Sequence, residues 1–199
     1  SENSDFIYLK IFPILKHFER KGHFQDDKFF SEKIFNNHIV IFGANHLADR
    51  ILNIMKKHEM DFIIVDFDPD IILSLRKKNI DAIYGDMSDP EIIDKININK
   101  AKIVISTPHE LQDDIMILSK LDLINKKCLT YMTAFTPQDA LKLYENGADY
   151  VILPNHLSWD ALSILVKDVK LKNYKHIRHS SNLTKKQHIK QLKKLINDY

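Results

Sequence analysis

Residues 38–66 begin HIVIFGANHLADRIL and end FIIVD, and the order of their parts decides the fold. His38–Phe42 is a short apolar run rich in β-branched residues, the composition of a buried strand. Gly43 follows at once. A helical pattern then opens near His46, with Leu47, Ile51, Leu52 and Met55 on one face. FIIVD, residues 62–66, reads as a second apolar strand that ends on an acid. A strand, a turn opened by glycine, a helix, a strand and an acid about 20 residues on predict the mononucleotide half of a Rossmann fold. The turn of such a unit brings backbone N–H groups to the positive end of the helix, which suits a phosphate. Asp66 is then placed to accept hydrogen bonds from a ribose. An acid at a strand end need not be core, so its replacement is expected to leave the fold intact. The glycine pattern is altered, however. Asn45 stands where a second glycine would let a pyrophosphate approach, and Ala48 stands where a third would let helix pack on strand. The alternative is a retained fold with a weak, altered or empty pocket.

Outward from this unit the alternation continues. Asp68 and Pro69 open a second helix, with Ile71, Ile72 and Leu75 as its apolar positions. DAIYGD (81–86) predicts a third strand with an acid after its glycine, and Ser88-Asp89-Pro90 opens a short helix. KIVIST (102–107) is a fourth strand ending in two hydroxyls, and ELQDDIMILSKLDLIN a helix with Ile115, Leu118 and Leu121 inward. KCLTYM (127–132) is a fifth strand. Thr136-Pro137 caps a helix that Asn146-Gly147 stops, and DYVILP (149–154) is a sixth strand. Six strands alternating with helices predict an α/β fold with a doubly wound, parallel, six-stranded Rossmann-like sheet. Right-handed crossovers put all carboxyl ends on one edge. Gly43, Asp66, Gly85-Asp86 and Ser106-Thr107 converge there, where ligands of open α/β sheets bind.

Composition narrows the class. The 199 residues are 44% hydrophobic, enough for a sizeable core, and the net charge of +2 gives no global field for nucleic acid. One cysteine, Cys128, excludes an internal disulfide framework and reads as core. No apolar run reaches the roughly 18 residues of a membrane span, and Asp5 and Lys10 interrupt the first apolar stretch, unlike a signal peptide.

The flanks differ from the centre. Residues 1–36 divide into an amphipathic segment (5–21) interrupted by Pro13 and a polar linker, so the globular domain is expected over 37–155. Lysines and arginines among the apolar residues of 5–21 suit either an amphipathic helix or a segment that has just left a membrane on its cytoplasmic side. Residues 156–199 form a basic helical extension: LSWDALSILVKDV, a break at HIRHSSN, then KKQHIKQLKKLI. Its apolar positions Leu162, Leu165, Val166, Ile189, Leu192 and Ile196 suggest dimerisation. Its lysines read as a solvated face rather than a nucleic-acid patch. His176 and His179 share a turn, but no cysteine or carboxylate pattern accompanies them, so no metal is expected. No Gly-x-Ser-x-Gly and no Tyr-x-x-x-Lys occurs, and no second domain follows to carry a substrate. A binding or sensing module, not an enzyme, is the expectation.

Several separate motifs, in order, carry a resemblance: GDMSDPEII after the third strand, VISTPHELQDDIMI around the fourth, and LKLYENGADYVILPNHLSWDAL around the sixth. Across about 37–165 the chain resembles the regulator-of-potassium-conductance (RCK, or TrkA-N) domain. FPILKHFERKG before it and KKQHIKQLKKL after it are similar to the soluble tail of monovalent cation–proton antiporters of the second family. The resemblance implies a regulatory domain on the cytoplasmic face of the cell membrane. It would sense nucleotide and control K+ or Na+ transport by a transmembrane antiporter or channel part of the same protein, working as a homodimer or higher even oligomer. The implied ligand is AMP or NAD(H). Gly43 and the turn of Ala44, Asn45, His46 and Leu47 through Ala48 would serve the phosphate, Asp66 the ribose, Asp86 and Met87 the adenine, and Ser106 and Thr107 the floor, with Phe67 a further residue of the pocket. The other functional readings are an NAD-dependent oxidoreductase subunit and a structural assembly module with an empty pocket.

Overall fold

The computed structural model describes residues 34–57, 59–108, 110–154 and 174–197. The segment 5–21, most of the linker and LSWDALSILVKDV lie outside them.

Six parallel strands form one sheet: β1 (Ile39–Phe42), β2 (Phe62–Asp66), β3 (Ala82–Tyr84), β4 (Ile103–Ser106), β5 (Leu129–Thr133) and β6 (Tyr150–Ile152). Their spatial order is β3-β2-β1-β4-β5-β6, so the winding reverses between β1 and β4. Ile39 pairs with Phe62 on one side and Ile103 on the other, and Phe42 with Val65 and Ser106. All four β1 residues are buried, which is why the run is apolar throughout rather than alternating.

The helices between the strands are α1 (His46–Lys57), α2 (Pro69–Lys77), α3 (Pro90–Lys95), α4 (Leu111–Ile124) and α5 (Pro137–Glu145). Leu47, Ile51, Leu52 and Met55 of α1 are all buried against the sheet, as their spacing predicts. Each contributes about 1.5–3 kcal/mol relative to remaining exposed. Asp68, Asp89 and Thr136 cap α2, α3 and α5 with side-chain oxygens, each followed by proline in the first turn. Gly147, at φ +100°, ends α5. Its N–H bonds Tyr144 O and the Ala148 N–H bonds Leu143 O, the paired bonds of a Schellman stop.

Three expectations need correction. The packed chain begins earlier than residue 37: Phe35 is buried, and the Asn97 amide donates to its carbonyl. On α4 the inward residues are Asp114, Ile117, Leu118 and Leu121, whereas Ile115 is only half-buried. HIRHSSN does not interrupt the tail either. It lies inside a single helix, α6 (Tyr174–Asn197). The serines and asparagine there lower helix propensity by tenths of a kcal/mol, but the stretch holds neither glycine nor proline to stop it.

Candidate functional site

The carboxyl edge at the β1–β4 switch point is built around Gly43. Its φ is +79°, in the left-handed region. A Cβ there would fall 2.7 Å from Thr107 Oγ1 and 2.8 Å from Pro108 Cδ. Both the backbone angle and the space therefore require glycine. The Gly43 N–H extends the sheet by donating to Val65 O at 2.8 Å. Thr107 Oγ1 lies 3.1 Å from Phe42 O and 3.0 Å from Gly43 O, so its proton fastens the turn from the other side.

Asp66 ends β2 beneath this turn. Oδ2 accepts from the Ala44 N–H at 2.7 Å and Oδ1 from the Asp68 N–H at 2.8 Å. The residue is only 7% exposed. Asp66 thus joins the glycine turn to the entry of α2, so its replacement would remove the acceptor of two backbone N–H groups. Each oxygen keeps a second lone pair for a ligand hydroxyl.

Asn45 is the residue that most alters the phosphate end. Oδ1 accepts from Leu47 N at 3.0 Å and Ala48 N at 3.3 Å, while Nδ2 donates to Thr107 O at 2.9 Å. It is the N-cap of α1. The first helical N–H groups that would meet a phosphate already have an acceptor.

The remaining predicted residues divide into exposed and enclosed. His46, Phe67 and Asp86 are exposed, and Phe67, at 73%, offers a ring face to a ligand. Asp86 Oδ1 accepts from Ser88 N at 2.8 Å, which shapes the turn after β3. The Leu47 side chain belongs to the core under α1, leaving only its backbone at the turn. Met87 is buried as well, and Ser106 and Thr107 are fully enclosed. Hydrogen bonds bring Ala44, Asn45, Asp66 and Thr107 together directly. Asp86 sits close enough to the first turn of α4 to raise the Asp113 pKa, after the larger effect of desolvation.

Sequence reasoning missed Asp114. It is 1% exposed, and neither carboxylate oxygen has a hydrogen-bond partner of good geometry among the described residues. Burial pushes its pKa up to about 7; the Ser106 hydroxyl opposes the shift, and Asp113 and Glu110 add to it. A signal was available: Asp114, Ile117, Leu118 and Leu121 follow the i, i+3, i+4, i+7 pattern, with an acid in the first inward place.

A cleft of about 550 Å³ opens at the opposite edge between the ends of α4 and α5, lined by residues that include Asp122, Cys128, Glu145 and Asp149. No predicted site residue borders it. Among the described residues no cluster of three metal-ligating side chains occurs, and no helix is long and apolar enough to cross a membrane.

Comparison with known proteins agrees with this architecture. Residues 39–154 match the model of the TrkA-N domain family. A potassium channel protein of Methanocaldococcus jannaschii is 30% identical over 124 residues, covering 61% of this chain and 37% of that protein. The chain therefore matches well under half the length of that relative. Among solved structures, the TrkA-N domain of the Escherichia coli inner membrane protein YbaL superposes with a TM-score of 0.59 at 16% identity, covering 67% of this chain and 97% of that one. The C-terminal domain of Shewanella denitrificans Kef, in an AMP-bound form, gives 0.56 at 12% identity, covering 82% and 99%. At these identities the structures share the fold alone.

Proposed function

The chain belongs to the TrkA-N domain family, and on that premise we propose that it is a regulatory module of a monovalent cation transport protein. Its effector is a nucleotide held at the carboxyl edge of β1, β2 and β3. The observation that carries the reading is the glycine turn at Gly43, fastened by Thr107 on one side and Asp66 on the other. So elaborate a fixation of one backbone turn suits a ligand that approaches it closely.

The local chemistry favours a mononucleotide such as AMP over NAD(H). Asn45 covers part of the space and the N–H groups that a pyrophosphate would use, while one phosphate can still meet the turn. The free lone pairs of Asp66 suit ribose hydroxyls, and exposed Phe67 and Asp86 suit the adenine side. The reading is binding without turnover. Regulation then requires that the nucleotide bind two arrangements of the assembly with different affinity.

Attachment to a transmembrane antiporter or channel part, and pairing as a homodimer or higher even oligomer, belong to the same proposal. The potassium channel relative supports the channel setting, and the AMP-bound Kef domain supports AMP as the effector. Thermal unfolding with AMP, ADP, ATP, NAD+ and NADH tests the reading. A ligand at 100 times its dissociation constant adds about 2.7 kcal/mol. Stabilisation by AMP above that by NAD(H) supports it, and no stabilisation by any of the five contradicts it.

A further inference from the structure

Helix α6 docks on the rest of the domain through residues that recur on one face: Lys185, His188 and Leu192. Leu192 is 1% exposed. The Lys185 ammonium donates to Ala148 O at 2.7 Å and Tyr144 O at 3.4 Å, and sits 5.2 Å from the centre of the Tyr144 ring. Two of its donors thus go to carbonyls at the end of α5, where the helix dipole favours a cation. The His188 ring stacks on Tyr150 with centroids 5.7 Å apart and an interplanar angle of 24°, and its Nδ1 lies 2.8 Å from Tyr144 Oη.

A second bond bears on the direction of that last one. Tyr144 Oη accepts from the Val151 N–H at 3.0 Å. The buried phenol proton also needs an acceptor, and His188 Nδ1 lies within reach of it, so the arrangement that satisfies both groups has Nδ1 accepting and the imidazole neutral. A proton on Nδ1 would face the phenol proton, and the phenol, buried beneath α6, would lose its acceptor. The new charge would also share one helix face with Lys185, three residues away.

We propose that α6 is a proton-released latch, held on α5 and β6 while His188 is neutral and freed when His188 takes a proton. The groups facing His188 are the Tyr144 hydroxyl of α5 and the Tyr150 ring of β6. Lys185 shares its helix face, and Asp149, just before β6, acts on Lys185. Among the described residues none of the groups that face His188 is a carboxylate that would compensate a positive imidazole. Burial holds the His188 pKa below its ordinary value of 6.5 and raises that of Tyr144, which keeps the phenol a donor. The sign follows. The docked state binds the proton less readily, so docking is intact above about pH 6.5 and is lost as pH falls below it. Release uncovers Tyr144, Tyr150 and Leu192 together, an apolar and aromatic surface. The latch rests on the docking contacts alone and stands or falls independently of nucleotide binding.

Hydrogen exchange of the 199-residue chain between pH 5 and 8, corrected for intrinsic rates, tests it. Amides of 185–196 are expected to keep constant protection above pH 7 and to lose up to about tenfold per pH unit below 6.5, while β1 and β4 stay protected. His188→Gln, which cannot take up a proton in this range, should remove the step. Protection of 185–196 that is independent of pH in the wild type, or a step that survives in His188→Gln, overturns the proposal. Titration of the His188 ring by NMR in the unmodified chain decides it without a variant: a midpoint below 6.5 supports the latch, and one at or above 6.5 overturns it.

Discussion

The Ala44 N–H donates to the Asp66 carboxylate at 2.7 Å, across 22 positions of the chain. This bond ties the turn after β1 to the end of β2, and the second oxygen of Asp66 carries the tie onward to Asp68. The residue proposed to hold a ribose is therefore also the residue that holds the turn. Asp66→Ala should weaken AMP binding by about 10- to 100-fold, since charge-assisted bonds contribute roughly 1.5–3 kcal/mol. It should also lower unfolding stability by about 2–4 kcal/mol, because two backbone donors lose a buried acceptor. Urea unfolding read beside calorimetry separates the two effects. Unchanged stability would show that the tie is not structural.

The two left-handed glycines among the described residues make a controlled pair. At Gly147 an added Cβ meets nothing within 4 Å, whereas at Gly43 it meets Thr107 and Pro108 below 3 Å. Both substitutions force an unfavourable φ, which costs about 1 kcal/mol. Gly43→Ala adds a steric clash, so it should destabilise by at least about 2 kcal/mol more than Gly147→Ala. Equal losses in thermal unfolding would contradict the close packing of Thr107 on the turn.

Asn45 competes with the ligand for the start of α1. Asn45→Gly should cost the domain at most about 1 kcal/mol, the scale of a lost cap. It frees the Leu47 and Ala48 N–H groups for phosphate oxygens. Affinity for NAD(H) should then rise by roughly tenfold or more, the value of one charge-assisted bond. A drop in NAD(H) affinity in a calorimetric titration would mean that Asn45 serves the ligand instead.

Asp114 sets a pH dependence. Its folded pKa is raised from 3.8 to about 7, so the folded state holds a proton that the unfolded chain has released. Its contribution is fully present below about pH 4 and is lost as pH rises through about 7. The wild type should lose about 1.4 kcal/mol per pH unit across that window relative to Asp114→Asn. Parallel pH profiles of the two proteins would show otherwise.

Much of this architecture is legible in the chain because a doubly wound sheet buries its strands on both faces. IVIF is an unbroken apolar run for that reason, and FIIVD and IVIS are apolar up to the polar residue that ends each strand. Caps at Asp68, Asp89 and Thr136, each with a following proline, mark helix starts as clearly. The site is less legible. Residue types show that Asp66 and Asn45 stand beside the turn, but not that their side chains are already committed to backbone N–H groups. Asp114 escaped because an acid inside an apolar stripe shifts the apparent phase of α4 by one residue. The break expected at HIRHSSN came from polarity, which does not stop a helix that lacks glycine and proline. The docking of Lys185 and His188 depends on Tyr144 and Tyr150, more than 35 residues earlier, and no local pattern announces it.

The central claim is that the carboxyl edge of this sheet binds a nucleotide, and backbone amide chemical shifts during an AMP titration test it most directly. Saturable shifts are expected at Gly43 to Leu47, at Asp66 and Phe67, and at Asp86, with NAD+ moving the same amides more weakly. Amides in that edge that remain unmoved at millimolar AMP and NAD+, or that move only at the opposite cleft by Asp122 and Glu145, would contradict it.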